Sequence, residues 1–437
     1  MKILDSSFAF SVLIVSLFIF ISGANAQQNP EVEQIRRAVS FLQNDKLEEA
    51  ESILRNVANS FPKNIDAHNL LGVIYDRKGN LAAAENEYRT ALKINPKAIS
   101  PLANLGVLLA KSDRNAEARK TFESILQINP EHSQTIINLG LLLVKLKDYQ
   151  KAVPFLIRAT EMQPDSADIK LNLGIALLNN EKTADAKSAF LSAMLLSAND
   201  PEPVYYLGLI AFNADENEIA GAYFEKTLEL YPNHVSANFM LGELLVKIQR
   251  YRDAKPFYEK ALSLDPENPV YPIRIGGMFI FLSDFNSALK IFQAAAEKFP
   301  KIPEIQYFLA IVQRGLGNSD LAIDSLRKAL ALKPRYPDAL TVFASIKIDQ
   351  ADYSEAETML RKAIEIDKNT FLAYHDLGRL LVKTRRFSEA LPVLKHAVSL
   401  NPGIADVHYQ LFLTFSNLKQ KTEAERELAL FKELSKK

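Results

Sequence analysis

Cysteine and tryptophan are absent from the 437 residues, and neither sign of charge is in excess, with 52 basic side chains against 52 acidic ones. Without cysteine there is no disulfide, no thiol nucleophile, no iron–sulfur cluster and no cysteine-ligated zinc. The lipid-modified cysteine of a bacterial lipoprotein is excluded for the same reason. Balanced charge argues against a broad surface for nucleic acid or anionic membrane, because both need a basic excess. Only 15 glycines and 20 prolines stand against a hydrophobic fraction of 48%, which excludes a collagen-like chain and bulk disorder. Length alone suggests roughly three domains at about 150 residues each.

Long apolar runs are scarce, and the one exception lies at the start. Phe8 to Ile21 is uninterrupted by charge, follows Lys2, and is closed by Ser22-Gly23 and Ala24-Asn25-Ala26. A charged start, a short apolar centre and a small–x–small end read as a secretory signal peptide over residues 1–26. The run falls short of the ~20 residues that span a bilayer. An uncleaved N-terminal anchor is the alternative, since the charged region holds one lysine. Residues 27–30 read as a short linker. The expectation is an exported protein, periplasmic or secreted if bacterial, with no later transmembrane span.

The remainder repeats. Pro62, Pro96, Pro130, Pro164, Pro232, Pro266, Pro300, Pro334 and Pro402 share one 34-residue phase, interrupted at Ala198 and Lys368. A glycine phase runs from Gly72 through Gly106, Gly140, Gly174, Gly208 and Gly242 to Gly276, lapses at Ala310 and Ala344, and returns at Gly378. An alanine phase is unbroken from Ala50 to Ala424. Such self-similarity is the mark of a repeat array. Each unit predicts two helices: Leu102, Leu105, Leu108 and Leu109 follow the three-and-four rhythm of one face, and Ala118, Phe122, Ile125 and Leu126 that of a second. The phased proline ends each unit. Pro154, Pro256 and Pro392 are expected in the first turn of a second helix, where the missing N–H is harmless. Gly276-Gly277 suggests a local bend.

These residues resemble the tetratricopeptide repeat family, a 34-residue helix–turn–helix with Leu-Gly in its first helix, Ala and an aromatic in its second, and a closing Pro. Asn104-Leu105-Gly106, Ala118, Phe122 and Pro130 fit, as do Met240-Leu241-Gly242, Tyr251, Ala254, Tyr258, Ala261 and Pro266. The family's frequent tryptophan is missing, and the units around Ala310, Ala344 and Phe412 depart from the pattern. Arg37-Ala38 replaces Leu-Gly in the first unit, and the last helix is heavily charged with Phe431 at a usually small position. The resemblance covers 31–437, as eleven full units from 31–64 to 371–404 and a partial one, 405–437. It implies an all-α superhelical solenoid of about twelve units, first helices lining a concave groove that binds protein segments.

Catalytic signals are scarce. His68, His132, His234, His375, His396 and His408 form no metal-binding spacing, and no glycine-rich phosphate loop occurs. No enzyme, metal or cofactor is expected. By the family pattern, one groove-facing track holds Ile137, Leu171, Tyr205, Phe239, Ile273 and Tyr307; a second holds Val144, Leu178, Phe212, Val246 and Ile280. Two readings stay open: an apolar stripe for a partner's side chains, or packing between adjacent first helices. His375, Arg379 and Lys383, four apart on one helix face with Tyr409 and Gln410 in the next unit, are candidates for gripping an anion. The leading expectation is an exported, non-enzymatic scaffold. Alternatives are a carrier for lipid or glycolipid in the same groove, and a repeat subunit that regulates a separate enzyme.

Overall fold

The computed structural model describes residues 30–436. The expected signal segment 1–26, and linker residues 27–29, lie outside the described residues. All regular structure within them is helical, with no strand. The chain parts into two compact units between Leu230 and Tyr231.

In the first unit α1 (Pro30–Gln43) pairs with α2 (Leu47–Ser60), α3 (Ile65–Arg77) with α4 (Leu81–Ile94), and α5 (Ile99–Lys111) with α6 (Asn115–Ile128). Then α7 (Ser133–Lys145) pairs with α8 (Tyr149–Met162), α9 (Ala167–Asn179) with α10 (Thr183–Leu196), and α11 (Pro201–Asn213) with α12 (Asn217–Leu230). In the second unit α13 (Val235–Lys247) pairs with α14 (Tyr251–Leu264), α15 (Val270–Phe281) with α16 (Phe285–Lys298), and α17 (Pro303–Gly315) with α18 (Ser319–Leu332). Then α19 (Pro337–Asp349) pairs with α20 (Tyr353–Ile366), α21 (Phe371–Lys383) with α22 (Phe387–Leu400), and α23 (Ala405–Asn417) with α24 (Lys421–Leu434). Each unit is therefore a solenoid of helical hairpins, and within it each second helix packs on the next first helix.

Two local rules recur along the hairpins. The first concerns space between a hairpin's helices. A Cβ added at Gly106 would lie 2.5 Å from the Phe122 ring, and one at Gly242 would lie 2.7 Å from Tyr258. Phe122, Phe190, Phe224, Phe292, Tyr88 and Tyr258 are the largest buried side chains, each facing a glycine sixteen residues earlier. Where that glycine becomes Ala38, Ala310 or Ala344, the residue sixteen on is Leu54, Leu326 or Leu360, all fully buried. In these three hairpins leucine stands where the ring would be, while Gly140 and Gly378 keep glycine opposite Leu156 and Leu394. The second rule concerns the turn. One residue per turn has a left-handed φ, from Asp45 (56°) through Ala351 (62°) to Lys419 (61°), and only Gly79 and Gly317 are glycine there. Its amide bonds back to the first helix, as from Asp113 to Ala110 O and Lys147 to Val144 O, so the turn satisfies carbonyls the helix end leaves open.

One expectation needs correction. Pro154, Pro256 and Pro392 are each the sixth residue of their helices, not in the first turn. Each removes one hydrogen bond, but all three are exposed, as are Gln150, Arg252 and Ser388 four residues earlier, whose carbonyls water can reach. At Gly276-Gly277 the helix is not broken, and α15 runs through both. Gly276 makes room for Phe292, whereas a Cβ at Gly277 would meet nothing within 4 Å.

Candidate partner-binding surface

First helices touch one another along each unit: α1 to α3, α3 to α5, α5 to α7, α7 to α9 and α9 to α11 in the first, α15 to α17, α19 to α21 and α21 to α23 in the second. Within each unit, side chains along these contacts line that unit's own surface, and the first track runs beside it, with Tyr205 and Phe239 also reaching rings of the second helix. Ile137 is buried, while Leu171, Tyr205, Phe239, Ile273 and Tyr307 are half-buried.

The aromatic members are held by neighbouring rings. Tyr205 lies edge-on to Tyr206 at 5.4 Å and tilted to Phe224 at 6.1 Å. Phe239 contacts Tyr258 at 5.8 Å and reaches the next first helix at Tyr271, 5.4 Å away. Tyr307 contacts Phe308 and Tyr336, both at 5.2 Å. Burial, aided by Asp338, pushes its hydroxyl up to about 12. One flank of Phe239 and Tyr307 thus packs toward the following hairpin while part of each ring stays accessible. In the second track Val144 is buried, and Leu178, Phe212, Val246 and Ile280 are half-buried.

Between these tracks runs a third row that the sequence reading missed. Val39, Val73, Val107, Leu141, Ile175 and Leu209 supply one aliphatic side chain per hairpin of the first unit, and every one is half-buried. They sit four residues after the first track, one helical turn on, so the same 34-residue step would have found them. Beside them Asn104 donates to Asn69 at 2.9 Å, Asn138 accepts from Gln134 at 3.0 Å, and Asn172 donates to the Asp168 carbonyl at 2.8 Å.

In the second unit the row reads Glu243, Gly277, Ile311, Ser345, Arg379 and Leu413. Glu243 accepts from the Tyr258 hydroxyl at 2.6 Å and pairs with Arg274 at 3.2 Å. Arg314 donates to Ser345 at 2.9 Å and Asp349 at 3.1 Å. At the rim Phe281 is 71% exposed, stacked on Tyr251 at 5.6 Å.

The structure brings together two of the three anion-site candidates. His375 Nε2 lies 2.7 Å from Asp406 and Nδ1 3.2 Å from Asp376. Arg379 donates to Asp376 at 3.5 Å. Lys383 instead lies over the Tyr353 ring at 5.2 Å. Tyr409 packs on Phe431 at 5.1 Å, and Gln410 donates to Asp406 at 3.3 Å. Burial alone would lower the His375 pKa, but its hydrogen bonds to Asp376 and Asp406 outweigh that and raise it to about 9. The bond from His375 likewise holds the Asp406 carboxyl below its ordinary value.

Among the described residues no cluster of three or more His, Asp or Glu is placed to hold a metal ion, and no helix is long and apolar enough to cross a membrane. The tetratricopeptide repeat family matches residues 41–105, 77–139, 109–165, 143–207 and 314–381. Further forms of that repeat match 279–337, and 235–268 with 372–404. No curated protein matches the chain. Among solved structures, yeast Tom70 is 16% identical over 90% of this chain and 96% of its own, with a TM-score of 0.44. Cut9, in the Cut9–Hcn1 hetero-tetramer of APC/C, is 14% identical over 93% and 94%, with a TM-score of 0.47. YrrB, described as a TPR protein with an unusual peptide-binding site, is 26% identical over 44% and 98%, with a TM-score of 0.37.

Proposed function

Because the chain belongs to the tetratricopeptide repeat family, we propose that it is an exported, non-enzymatic scaffold whose first-helix surface binds segments of partner proteins. The observation that carries this reading is the row Val39, Val73, Val107, Leu141, Ile175 and Leu209. A core position would be sealed and a solvent position polar; these are aliphatic and half-buried in six successive hairpins. Repeated apolar surface of this kind suits a partner's side chains. The described residues consist of repeat hairpins throughout, leaving the surface between them as the place for function. Export is supported by Lys2, the Phe8–Ile21 run and Ala24-Asn25-Ala26.

Affinity isolation from native envelope or secreted fractions tests the scaffold. Wild-type protein is expected to retain one protein partner that Leu141→Glu with Ile175→Glu loses at unchanged helicity, whereas Ile157→Glu, on the exposed outer side of α8, keeps it. Retention of the same partner by the double variant defeats the proposal. Co-purifying lipid in place of protein moves the reading to a carrier. Sequencing the mature N-terminus, expected at Gln27, tests export.

A further inference from the structure

Behind the first-helix surface of the first unit, α6, α7 and α8 line an open cavity of about 430 Å³. From α7 come Leu139 and Leu143, both buried. They stand two positions after Ile137 and Leu141, about 200° around the helix, and so on its opposite face. From α8 come Phe155, half-buried, and Gln150 and Pro154, both exposed. Arg119 of α6 and Lys151 of α8 complete the rim.

Two features restrict what fits there. The first is a backbone acceptor. Pro154 has no N–H, so the Gln150 carbonyl four residues earlier lacks its helical donor. That oxygen can take a hydrogen bond from another molecule. The second feature is charge. Arg119 bonds Glu123 at 2.7 Å and approaches Asp148 at 3.4 Å, while Lys151 lies 3.2 Å from Asp148. Two cations already face two carboxylates, so the rim is balanced and favours a neutral occupant. Cations beside an apolar wall still attract an aromatic face, that of tryptophan most strongly. Phe155 and the two leucines favour the same flat, apolar body. A neutral aromatic body with one N–H to give is an indole. The chain itself has no tryptophan, so a second copy cannot supply it.

We propose that Leu139, Leu143, Phe155 and the Gln150 carbonyl form a docking pocket for a tryptophan side chain of a partner protein. The ring lies on the apolar wall, its N–H donates to the Gln150 oxygen, and Arg119 and Lys151 flank it. The site goes beyond the scaffold reading, because it uses the face of α7 opposite Leu141 and none of the first-helix row.

In a protein without tryptophan, indole emission reports the probe alone. The full chain is titrated into N-acetyl-tryptophanamide and, separately, into its N-methylindole form, which lacks the ring N–H. Wild type is expected to bind both, the methylated probe about two- to tenfold more weakly for want of one hydrogen bond. Pro154→Ala gives the Gln150 carbonyl a helical donor and is expected to erase that preference. Pro256→Ala, in the second unit, is expected to keep it. The Leu141→Glu, Ile175→Glu variant is expected to bind both probes as wild type does, so failure of the partner isolation and failure of this site are separate results. Absence of saturable binding to wild type, equal affinity for the two probes, or a preference that survives Pro154→Ala overturns the proposal. So does tighter binding of N-acetyl-tyrosinamide or of free tryptophan, measured by displacement of the probe.

Discussion

Arg114 ties one hairpin to the next: its Nη1 lies 2.7 Å from Glu85 Oε2 on α4, while Nε and Nη2 hold the two oxygens of Glu117 on α6, each at 2.8 Å. Arg89 completes the set, bonding Glu85 and approaching Glu117 at 3.8 Å. Eight periods later Glu357, Arg361, Arg386 and Glu389 repeat the arrangement. One period after the first set the same positions hold Arg119, Glu123, Asp148 and Lys151, with every sign reversed. The pairing survives because only relative sign matters to a Coulomb interaction.

Copying the reversed signs onto the earlier boundary tests this. Arg114→Glu alone sets a carboxylate beside Glu85 and Glu117 and is expected to lower Tm. Adding Glu85→Arg, Arg89→Glu and Glu117→Lys is expected to restore most of the loss. In about 1 M salt, where the screening length is about 3 Å, the difference between the variants should shrink. A quadruple variant no more stable than Arg114→Glu would show that the network contributes nothing.

Gly106→Ala pushes a methyl group against Phe122, and overpacking of this kind costs about 1–3 kcal/mol. Phe122→Leu in the same chain reproduces the pairing found at Ala310 with Leu326. Denaturant titration is expected to place the double variant above Gly106→Ala in stability. Additive losses from the two changes would refute a steric link between them.

His375 gives the second unit a stability that depends on pH. Asp376, Asp406 and Arg379 are the charged groups that face or flank it. Its pKa in the folded chain is raised from 6.5 to about 9, so its stabilising contribution is complete below the unfolded value and disappears as pH rises through the folded one. The Tm difference between wild type and His375→Gln should therefore narrow between about pH 6 and about pH 10. A difference independent of pH would contradict the raised pKa.

Ala351 holds a φ of 62° in the α19–α20 turn. A left-handed backbone costs an L-residue about 1–2 kcal/mol, of which glycine's extra unfolded-state freedom returns less than about 1 kcal/mol. Ala351→Gly is expected to raise the denaturant midpoint. Gly317→Ala, at a φ of 81°, is expected to lower it. The opposite signs would mean that turn conformation is not limiting.

The fold was legible because its spacing rules are local. Gly106, Ala118, Phe122 and Pro130 announce a hairpin within 25 residues of chain. Helix starts were less legible. The turn before α8 is short, so Tyr149 already begins the helix and Pro154 falls in its second turn. At Gly276-Gly277 two weak helix formers stay within one helix, where Phe292 of α16 packs against Gly276. On the surface, Val107 and Leu141 look in sequence like any core aliphatic, and only stacked first helices leave them half-buried. The partners of His375 were hidden for another reason: Asp406 lies 31 residues downstream, across a hairpin boundary.

The glycine–ring match has a consequence for how such a chain changes length. Gly106 and Phe122 belong to the same 34-residue block, and so do Ala310 and Leu326. Each block carries both halves of its own steric solution, so a block duplicated, deleted or transplanted along the chain arrives already fitted inside. The boundaries are where a newcomer would be recognised, since a block ending in the signs of Glu85 and Arg89 meets Arg114 favourably but would set Glu85 against Asp148.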